Sequence, residues 1–386
     1  MTDFGHIVVH YAEISLKAGN RSFFEKLLAS NIRNKLGEAC KGCRREAGQL
    51  TVALSPEADR AAACDTLARI PGIAYISPAW RLPLALDVFQ ATAVRLLAGR
   101  AFTTFKADTH RPYKHNAFTS QEVNRALGAA ILTAYPDKKV KLTNPEAVVK
   151  LEITENAAYM SAERFPCVGG LPTNPRQKVV GLISGGLDSP VAAYLMMKRG
   201  CEVVLVHFQN QSQVTGSVED KIVQLARQLA RYQIHTRLLI VPFEELQRAI
   251  IKDVHSTLRM LMYRRVMLQL SARIATENRA RYVVTGDSFS QVASQTYDNL
   301  AATYADCPVT VLAPAIGMDK REIVDIAERI GTFAISALPY EDCCSFFVPK
   351  HPELHARAES LRALAGRLEL EPLMQQALAQ VREQAW

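Results

Sequence analysis

The chain has no apolar run approaching the roughly 20 residues that a membrane span requires. Met1 to His10 holds no basic segment followed by a hydrophobic stretch, so no leader is expected and the protein is assigned to the cytoplasm. Cysteine is sparse. Eight in 386 residues (Cys40, Cys43, Cys64, Cys167, Cys201, Cys307, Cys343 and Cys344) cannot form a disulfide scaffold, so reduced thiols are expected and any disulfide would be catalytic. The one C-x-x-C, at Cys40 and Cys43, reads as structural or incidental rather than as an iron–sulfur ligand set. Two phosphate motifs are missing as well. No Lys-Ser or Lys-Thr follows a glycine at the Walker spacing, and no G-x-G-x-x-G occurs at a strand end.

What is present is a globular balance, 48% apolar and 22% charged residues over a length that suits two or three domains. The formal net charge of +8 favours a polyanionic partner, although a mildly basic enzyme without one has the same composition. The most informative stretch runs from Lys178 to Lys198. Val179 to Ile183 is a short apolar run of the kind a parallel sheet hides on both faces, and Ser184 to Ser189 are too small and polar to extend it. The chain must turn there. Gly185 and Gly186 are expected to take positive φ and approach a ligand, and Asp188 or Ser189 to cap a helix begun by Pro190. N–H groups of Ser184 to Ser189 would then lie at the positive end of a helix dipole, which suits a phosphate.

Ser184-Gly-Gly-Leu-Asp-Ser189 resembles the pyrophosphate loop of the ATP pyrophosphatases. That resemblance implies cleavage of ATP to AMP and pyrophosphate, with adenylation of a substrate oxygen. For Ser-Gly-Gly alone, an ordinary glycine turn is the plainer alternative.

Ahead of this loop, His6–His10, Gln49–Leu54 and a segment around Ala74–Pro78 read as strands, with helices over Arg21–Leu36, capped by Asn20, and Ala58–Ile70. This order suggests a small α+β layer of ferredoxin-like type over residues 1–80. Residues 81–165 form a second unit, with helical spacing at Val88–Leu97 and Ser120–Tyr135 and strands at Thr103–Lys106 and Ala147–Ile153. Between them Lys106, His110, Arg111, Lys114 and His115 alternate with Phe105, Tyr113 and Phe118, a cationic surface with rings available to stack on bases. As composition alone, a solvated basic surface fits equally. Residues 166–177, rich in proline and glycine, read as a linker. From 178 to 386 strands alternate with helices, which argues for a doubly wound parallel sheet whose ligand crevice lies beyond the carboxyl ends of its strands. Gln291 and Gln295 are expected one turn apart on a helix following the strand that ends near Gly286.

Three stretches carry a resemblance to one family that covers nearly the whole chain, from His6 to Pro352. Tyr11-Ala-Glu-Ile-Ser-Leu-Lys-Ala-Gly-Asn-Arg-Ser, Val283-Val-Thr-Gly-Asp-Ser-Phe-Ser-Gln-Val-Ala-Ser-Gln-Thr and Pro314-Ala-Ile-Gly-Met-Asp-Lys-Arg-Glu resemble the tRNA 4-thiouridine synthetases, or tRNA sulfurtransferases (ThiI family). Asp287, Phe289 and Ser290 depart from the residues more usual there. Residues 81–165 resemble the THUMP module of tRNA-modifying enzymes.

The resemblance implies an ATP pocket lined by Leu182, Ile183, Ser184, Gly185, Gly186, Asp188, Ser189, His207, Phe208, Arg264, Gly286 and Gln295. It implies catalytic roles for Asp188, Lys320 and Cys343; beside Cys343, Cys344 is a candidate catalytic residue as resolving thiol, with Cys307 a third candidate. RNA contacts are expected from Lys17, Arg21, Lys106, Arg111 and Lys114. From spacing alone, a solvated surface pair at Lys17 and Arg21, a helix-surface arginine at 264 and incidental thiols at 343 and 344 remain open.

In the family, ATP with Mg²⁺ adenylates the C4 oxygen of the uridine at position eight of tRNA, and a persulfide or sulfide displaces AMP. Some members also supply sulfur for the thiamine thiazole. Thiolate is the reactive form, so Cys343 should lie near cations such as Lys350 or His351. About 34 residues follow Pro352, too few for the rhodanese-like domain of some members, so sulfur is expected from a cysteine desulfurase, another persulfide carrier or sulfide. A homodimer is the family expectation. A small-molecule ligase with the same loop, or an RNA-binding protein with a vestigial site, are the rival readings; the basic modules weigh against the first, and Asp188, Lys320 and Cys343 against the second.

Overall fold

The computed structural model describes residues 4–46, 48–111, 113, 118–210, 216–339 and 352–386. The chain divides into two compact units, Met1–Pro172 and Thr173–Trp386.

The first unit is built as β1 (His6–His10), α1 (Arg21–Leu36), β2 (Cys40–Glu46), β3 (Gln49–Leu54), α2 (Arg60–Ala68), β4 (Tyr75–Leu82), α3 (Leu86–Leu97), β5 (Thr104–His110), α4 (Ser120–Ala134), β6 (Lys139–Val140), β7 (Ala147–Ile153), β8 (Ala158–Ser161) and β9 (Phe165–Pro166). One sheet runs in the order β2-β3-β1-β4-β8-β7-β5-β6, with β9 on β4. Strand β1 lies antiparallel between β3 and β4, placing Ile7 opposite both Val52 and Pro78. Ile7, Val9, Leu28, Ile32 and Leu67 form one core, while Phe89, Phe105, Leu127, Val149 and Leu151 form another; Trp80 on β4 packs against both. Strand β2 was not expected. Its Cys-Lys-Gly-Cys-Arg-Arg-Glu carries no apolar alternation because it is an edge strand, where charged side chains discourage pairing with another chain. Asn20 precedes α1 without a side-chain cap, contrary to expectation. Strand β4 also extends beyond Pro78 to Leu82, so one strand serves both cores.

The second unit comprises β10 (Asn174–Leu182), α5 (Asp188–Lys198), β11 (Cys201–Gln209), α6 (Gly216–Ala230), β12 (Arg237–Pro242), α7 (Glu244–Asp253), α8 (Ser256–Glu277), β13 (Tyr282–Val284), α9 (Tyr297–Tyr304), β14 (Thr310–Leu312), α10 (Lys320–Ile330), α11 (Phe333–Ser336), α12 (Ala358–Ala365), α13 (Glu371–Ala379) and β15 (Arg382–Ala385). Its sheet order is β14-β13-β10-β11-β12-β15, parallel except for β15. The chain steps from β10 outward through β11 to β12, then returns to the other side of β10 for β13 and β14. That reversal splays the loops leaving β10 and β13 in opposite directions and opens a crevice at their carboxyl ends.

Continuous apolar runs suit this sheet: Val203 to Val206 and Leu238 to Val241 are buried on both faces. Gly181 on β10 allows the closest approach, because a Cβ there would meet Val203 Cγ1 at 2.8 Å. Strand β15 also escaped the sequence, since Arg-Glu-Gln-Ala has little strand propensity; it pairs with β12, and Trp386 and Thr236 exchange backbone hydrogen bonds. Among the described residues, no helix is long and apolar enough to cross a membrane.

Candidate active site

The loop leaving β10 is held together by its own hydroxyls. Ser184 N–H donates to Ser189 Oγ at 2.9 Å, the two hydroxyls lie 3.0 Å apart, and Gly186 N–H donates to Ser184 Oγ at 3.3 Å. Helix α5 begins at Asp188, two residues earlier than expected, and neither Asp188 nor Ser189 caps it, because Ser189 Oγ is turned back onto the loop. Pro190 falls within the first turn, where no backbone N–H is missed. Neither Gly185 nor Gly186 takes a positive φ, so that expectation is corrected. The sterically indispensable glycine is Gly286, after β13. A Cβ on it would stand 2.6 Å from Ser189 N and Cα, so only a glycine lets this loop lie against the first turn of α5.

A cavity of about 460 Å³ opens between these strand ends. Leu182, Val206, Phe208, Leu261 and Met267 give it apolar walls, and Ser184, Asp188, Ser189, Arg264, Gly286 and Gln295 bring polar groups or backbone to it. The volume and the mixture suit a small ligand with one flat apolar part and one anionic part. Ile183 and His207 line it too, whereas Gly185 and Gly186 do not. His207 is buried, and its Nδ1 donates to the Ile183 carbonyl at 3.0 Å.

Opposite the loop, Asp319 begins α10 with a capping box: it accepts from Glu322 N–H at 2.9 Å, while the Glu322 carboxylate accepts from Asp319 N–H at 2.9 Å. Such a cap is worth about 1 kcal/mol and fixes where the helix starts. It thereby sets Lys320, whose Nζ donates to Asp188 Oδ1 at 3.2 Å. A lysine at the positive end of a helix opposes the dipole, and the carboxylate of Asp188 offsets that. Ser336 Oγ, at the end of α11, donates to the Gly186 carbonyl at 3.1 Å, tying the loop to the segment that follows α10.

The floor of the cavity holds a network that sequence reasoning did not find. Arg264 Nη2 donates to both carboxylate oxygens of Asp287 at 2.7 Å. Gln295 Nε2 donates to Asp287 Oδ1 at 3.0 Å, and the Tyr304 hydroxyl donates to Oδ2. Burial by itself would raise the Asp287 carboxyl, but the Arg264 charge and the hydrogen bonds from Tyr304, Arg264 and Thr285 hold it below the ordinary range. Burial and the neighbouring Asp287 charge push the Tyr304 phenol up. Arg264 lines the cavity as expected, and its Nη2 is engaged by Asp287. Gln291 and Gln295 do not share a helix, because the chain turns at Ser290 (φ 59°) and forms only a short 3-10 turn over Ala293–Gln295 before α9. Asp287 had a signal, a carboxylate directly after the glycine; Tyr304 had none, lying 17 residues on.

The predicted RNA residues lie on separate elements of the first unit. Lys17 sits between two 3-10 turns with its ammonium 5.5 Å from the centre of the Phe24 ring. Arg21 is the first residue of α1, and it donates to Glu25 at 2.8 Å and to the Tyr11 hydroxyl at 3.0 Å. Lys106 on β5 faces Asp108 at 3.7 Å, and Arg111 follows the strand. Lys114, Cys343, Cys344, Lys350 and His351 lie outside the described residues. Cys307 is described: it packs against the core, and burial raises its thiol.

Strand order, loop and cavity together define an α/β nucleotide-binding enzyme of the pyrophosphate-loop class. Residues 175–370 match the family model described as thiamine biosynthesis protein (ThiI), 6–77 the ThiI ferredoxin-like domain and 85–163 the THUMP domain. The chain is 39% identical over 355 residues to a probable tRNA sulfurtransferase of Caldanaerobacter subterraneus subsp. tengcongensis, covering 92% of this chain and 93% of that one. It is 41% identical over 379 residues to a protein of the same name from Thermus thermophilus, covering 96% and 91%. A crystal structure of a 4-thiouridine synthetase–RNA complex with bound ATP superimposes with a TM-score of 0.90 at 30% identity, covering 99% of this chain and all of that one. The chain belongs to the ThiI family of tRNA sulfurtransferases.

Proposed function

We propose that this chain is an ATP-dependent tRNA uridine 4-sulfurtransferase. The observation that carries the reading is the convergence of Ser184, Asp188, Ser189 and Gly286 on one cavity at the sheet's switch point, with Lys320 bonded to Asp188 beside it, in a chain of this family. Adenine fits the apolar walls, and the phosphates fit the end of α5, whose first amides have no side-chain cap. The C4 oxygen of the uracil attacks the α-phosphorus, the bond to pyrophosphate breaks, and the oxygen carries AMP. A sulfur nucleophile then adds to C4, and AMP leaves with that oxygen.

Lys320 neutralises charge on the phosphates, and Asp188 holds its ammonium in place. Among the described residues no group of three or more His, Cys, Asp or Glu could cage a metal, so Mg²⁺ would be held mostly by phosphate oxygens, with Asp188 as the neighbouring carboxylate. Bound there, it supplies charge neutralisation on the leaving pyrophosphate. Cys343 is assigned the sulfur-bearing role and Cys344 the resolving role. Residues 1–80 and 81–165 bind tRNA and 178–386 perform the chemistry, with uridine eight as target, a cysteine desulfurase or sulfide as donor, a cytoplasmic setting and a homodimeric assembly. Supply of sulfur to the thiamine thiazole belongs to the same reading.

The test is 4-thiouridine formation on an unmodified tRNA transcript with ATP, Mg²⁺ and either a cysteine desulfurase with cysteine or free sulfide. Product is expected from the unaltered chain and none with desulfurase for Cys343→Ser. Tight tRNA binding without product from any donor would overturn the reading.

A further inference from the structure

The loop after β13 carries two rings that neither the core nor the nucleotide cavity accounts for. Phe289 and Tyr297 lie side by side with centroids 6.1 Å apart and planes 28° from parallel. Their surfaces are 49% and 75% exposed. Val292, between them in sequence and also exposed, lines the mouth of the cavity together with Ala293 and Gln295. Rings left in water contribute little to folding, yet a pair of near-parallel rings beside a ligand cavity presents flat π faces.

The turn that bears them is closely built. Phe289 N–H donates to the Ile316 carbonyl at 3.1 Å, Ser290 N–H to the Gln295 carbonyl at 3.0 Å, and Gln295 N–H to the Val292 carbonyl at 2.8 Å. Ser290 sits at φ 59°, a conformation a serine keeps only where its surroundings hold it. On the far side, Thr296 caps α9 by accepting from Asn299 N–H at 3.3 Å, and it donates to the Leu354 carbonyl at 2.7 Å. Tyr297 is therefore the first residue of a helix with a fixed start, and Phe289 stands on a pinned turn.

We propose that Phe289 and Tyr297 form a stacking platform for an unstacked pyrimidine base of the RNA substrate at the mouth of the nucleotide cavity. The role rests on the sulfurtransferase reading. A uracil stacked inside folded RNA cannot bring its C4 oxygen to an α-phosphate held in a concave site, so the base must leave its stack. Protein rings restore the lost stacking, and they accept any base because every base has a π face. The platform therefore supplies position, and base identity is left to polar groups elsewhere.

Both rings are at the surface, so Phe289→Ala and Tyr297→Ala should fold, and ATP affinity measured by equilibrium binding should be unchanged because neither ring lines the cavity. Each alanine should lower kcat/KM for tRNA about 10-fold, while Tyr297→Phe keeps the ring and the rate. An independent arm uses a tRNA transcript containing 4-thiouridine, whose base crosslinks to its contacts under near-ultraviolet light; the adduct is expected on the peptide spanning 289–297. Alanine variants with unchanged kcat/KM for tRNA, or adducts confined to other peptides, would overturn the platform. A change confined to the KM of a protein sulfur donor would also overturn it, by making the rings a donor-docking surface. Failure of the unaltered chain to form any 4-thiouridine would instead remove the sulfurtransferase reading, and the platform's role with it.

Discussion

The carboxyl-terminal unit gathers polar groups from several segments onto one cavity, whereas the amino-terminal unit spreads its cations over a turn, a helix start and a strand. In the former, Ser184, Asp188, Gly286, Asp287 and Lys320 are fixed by hydrogen bonds or by steric necessity. In the latter, Arg21 is committed to Tyr11 and Glu25, and Lys106 lies near Asp108. A phosphate bound by the first kind of site is held by oriented dipoles in a concave, poorly hydrated place. A phosphate met by the second is held by point charges in water, each worth little alone. The difference teaches where single substitutions should matter and where only sums should.

Asp188→Ala should show the largest effect. It frees Lys320 and removes the carboxylate beside the loop, so ATP-to-AMP turnover should fall by about 10²-fold or more, measured as tRNA-dependent pyrophosphate release, with little change in folding. Retention of turnover would break the claim that this cavity is the nucleotide site.

Asp287→Ala should be a stability change instead. Removing this buried carboxylate takes the shared acceptor away from Arg264, Gln295 and Tyr304 and costs about 3–5 kcal/mol, read from urea unfolding. The lowered carboxyl also sets a pH dependence. Its contribution is complete above the unfolded value near pH 4 and is lost as pH falls through the lower folded value, so Asp287→Asn should flatten the acid limb of stability.

The smallest effects belong to the amino-terminal cations. Single alanines at Lys17, Lys106 or Arg111 should weaken tRNA binding only a few-fold and reduce the salt slope by about 0.7–0.9 per lost phosphate contact. Arg21→Ala sharpens the contrast, because its guanidinium is already engaged within the protein and its loss should leave the slope nearly unchanged. A full unit of slope lost at Arg21 would mean that RNA competes for it.

The strand, turn and helix from Lys178 to Lys198 were legible because apolar runs, small residues and Pro190 act within a few residues of one another. The cap at Asp319 likewise depends on a neighbour in sequence, Glu322 three residues on. Where the local argument erred, another contact had overridden it. Ser189 faces the loop instead of capping α5, and the glycine demanded by close packing is Gly286 rather than Gly185 or Gly186. Edge strands β2 and β15 were illegible because most of their residues are polar or partly exposed and carry no apolar alternation.

By itself, then, the sequence determined the pyrophosphate loop, the start of the lysine helix and the alternation that makes a doubly wound sheet, since each depends on neighbouring backbone groups and side-chain period. Only the tertiary structure decided that Lys320 meets Asp188 across 132 residues, that Arg264 answers to Asp287, and that Phe289 and Tyr297 stand exposed at the cavity mouth. Those pairings depend on strand order and on the crevice that its reversal opens, and strand order is fixed by packing over the whole unit.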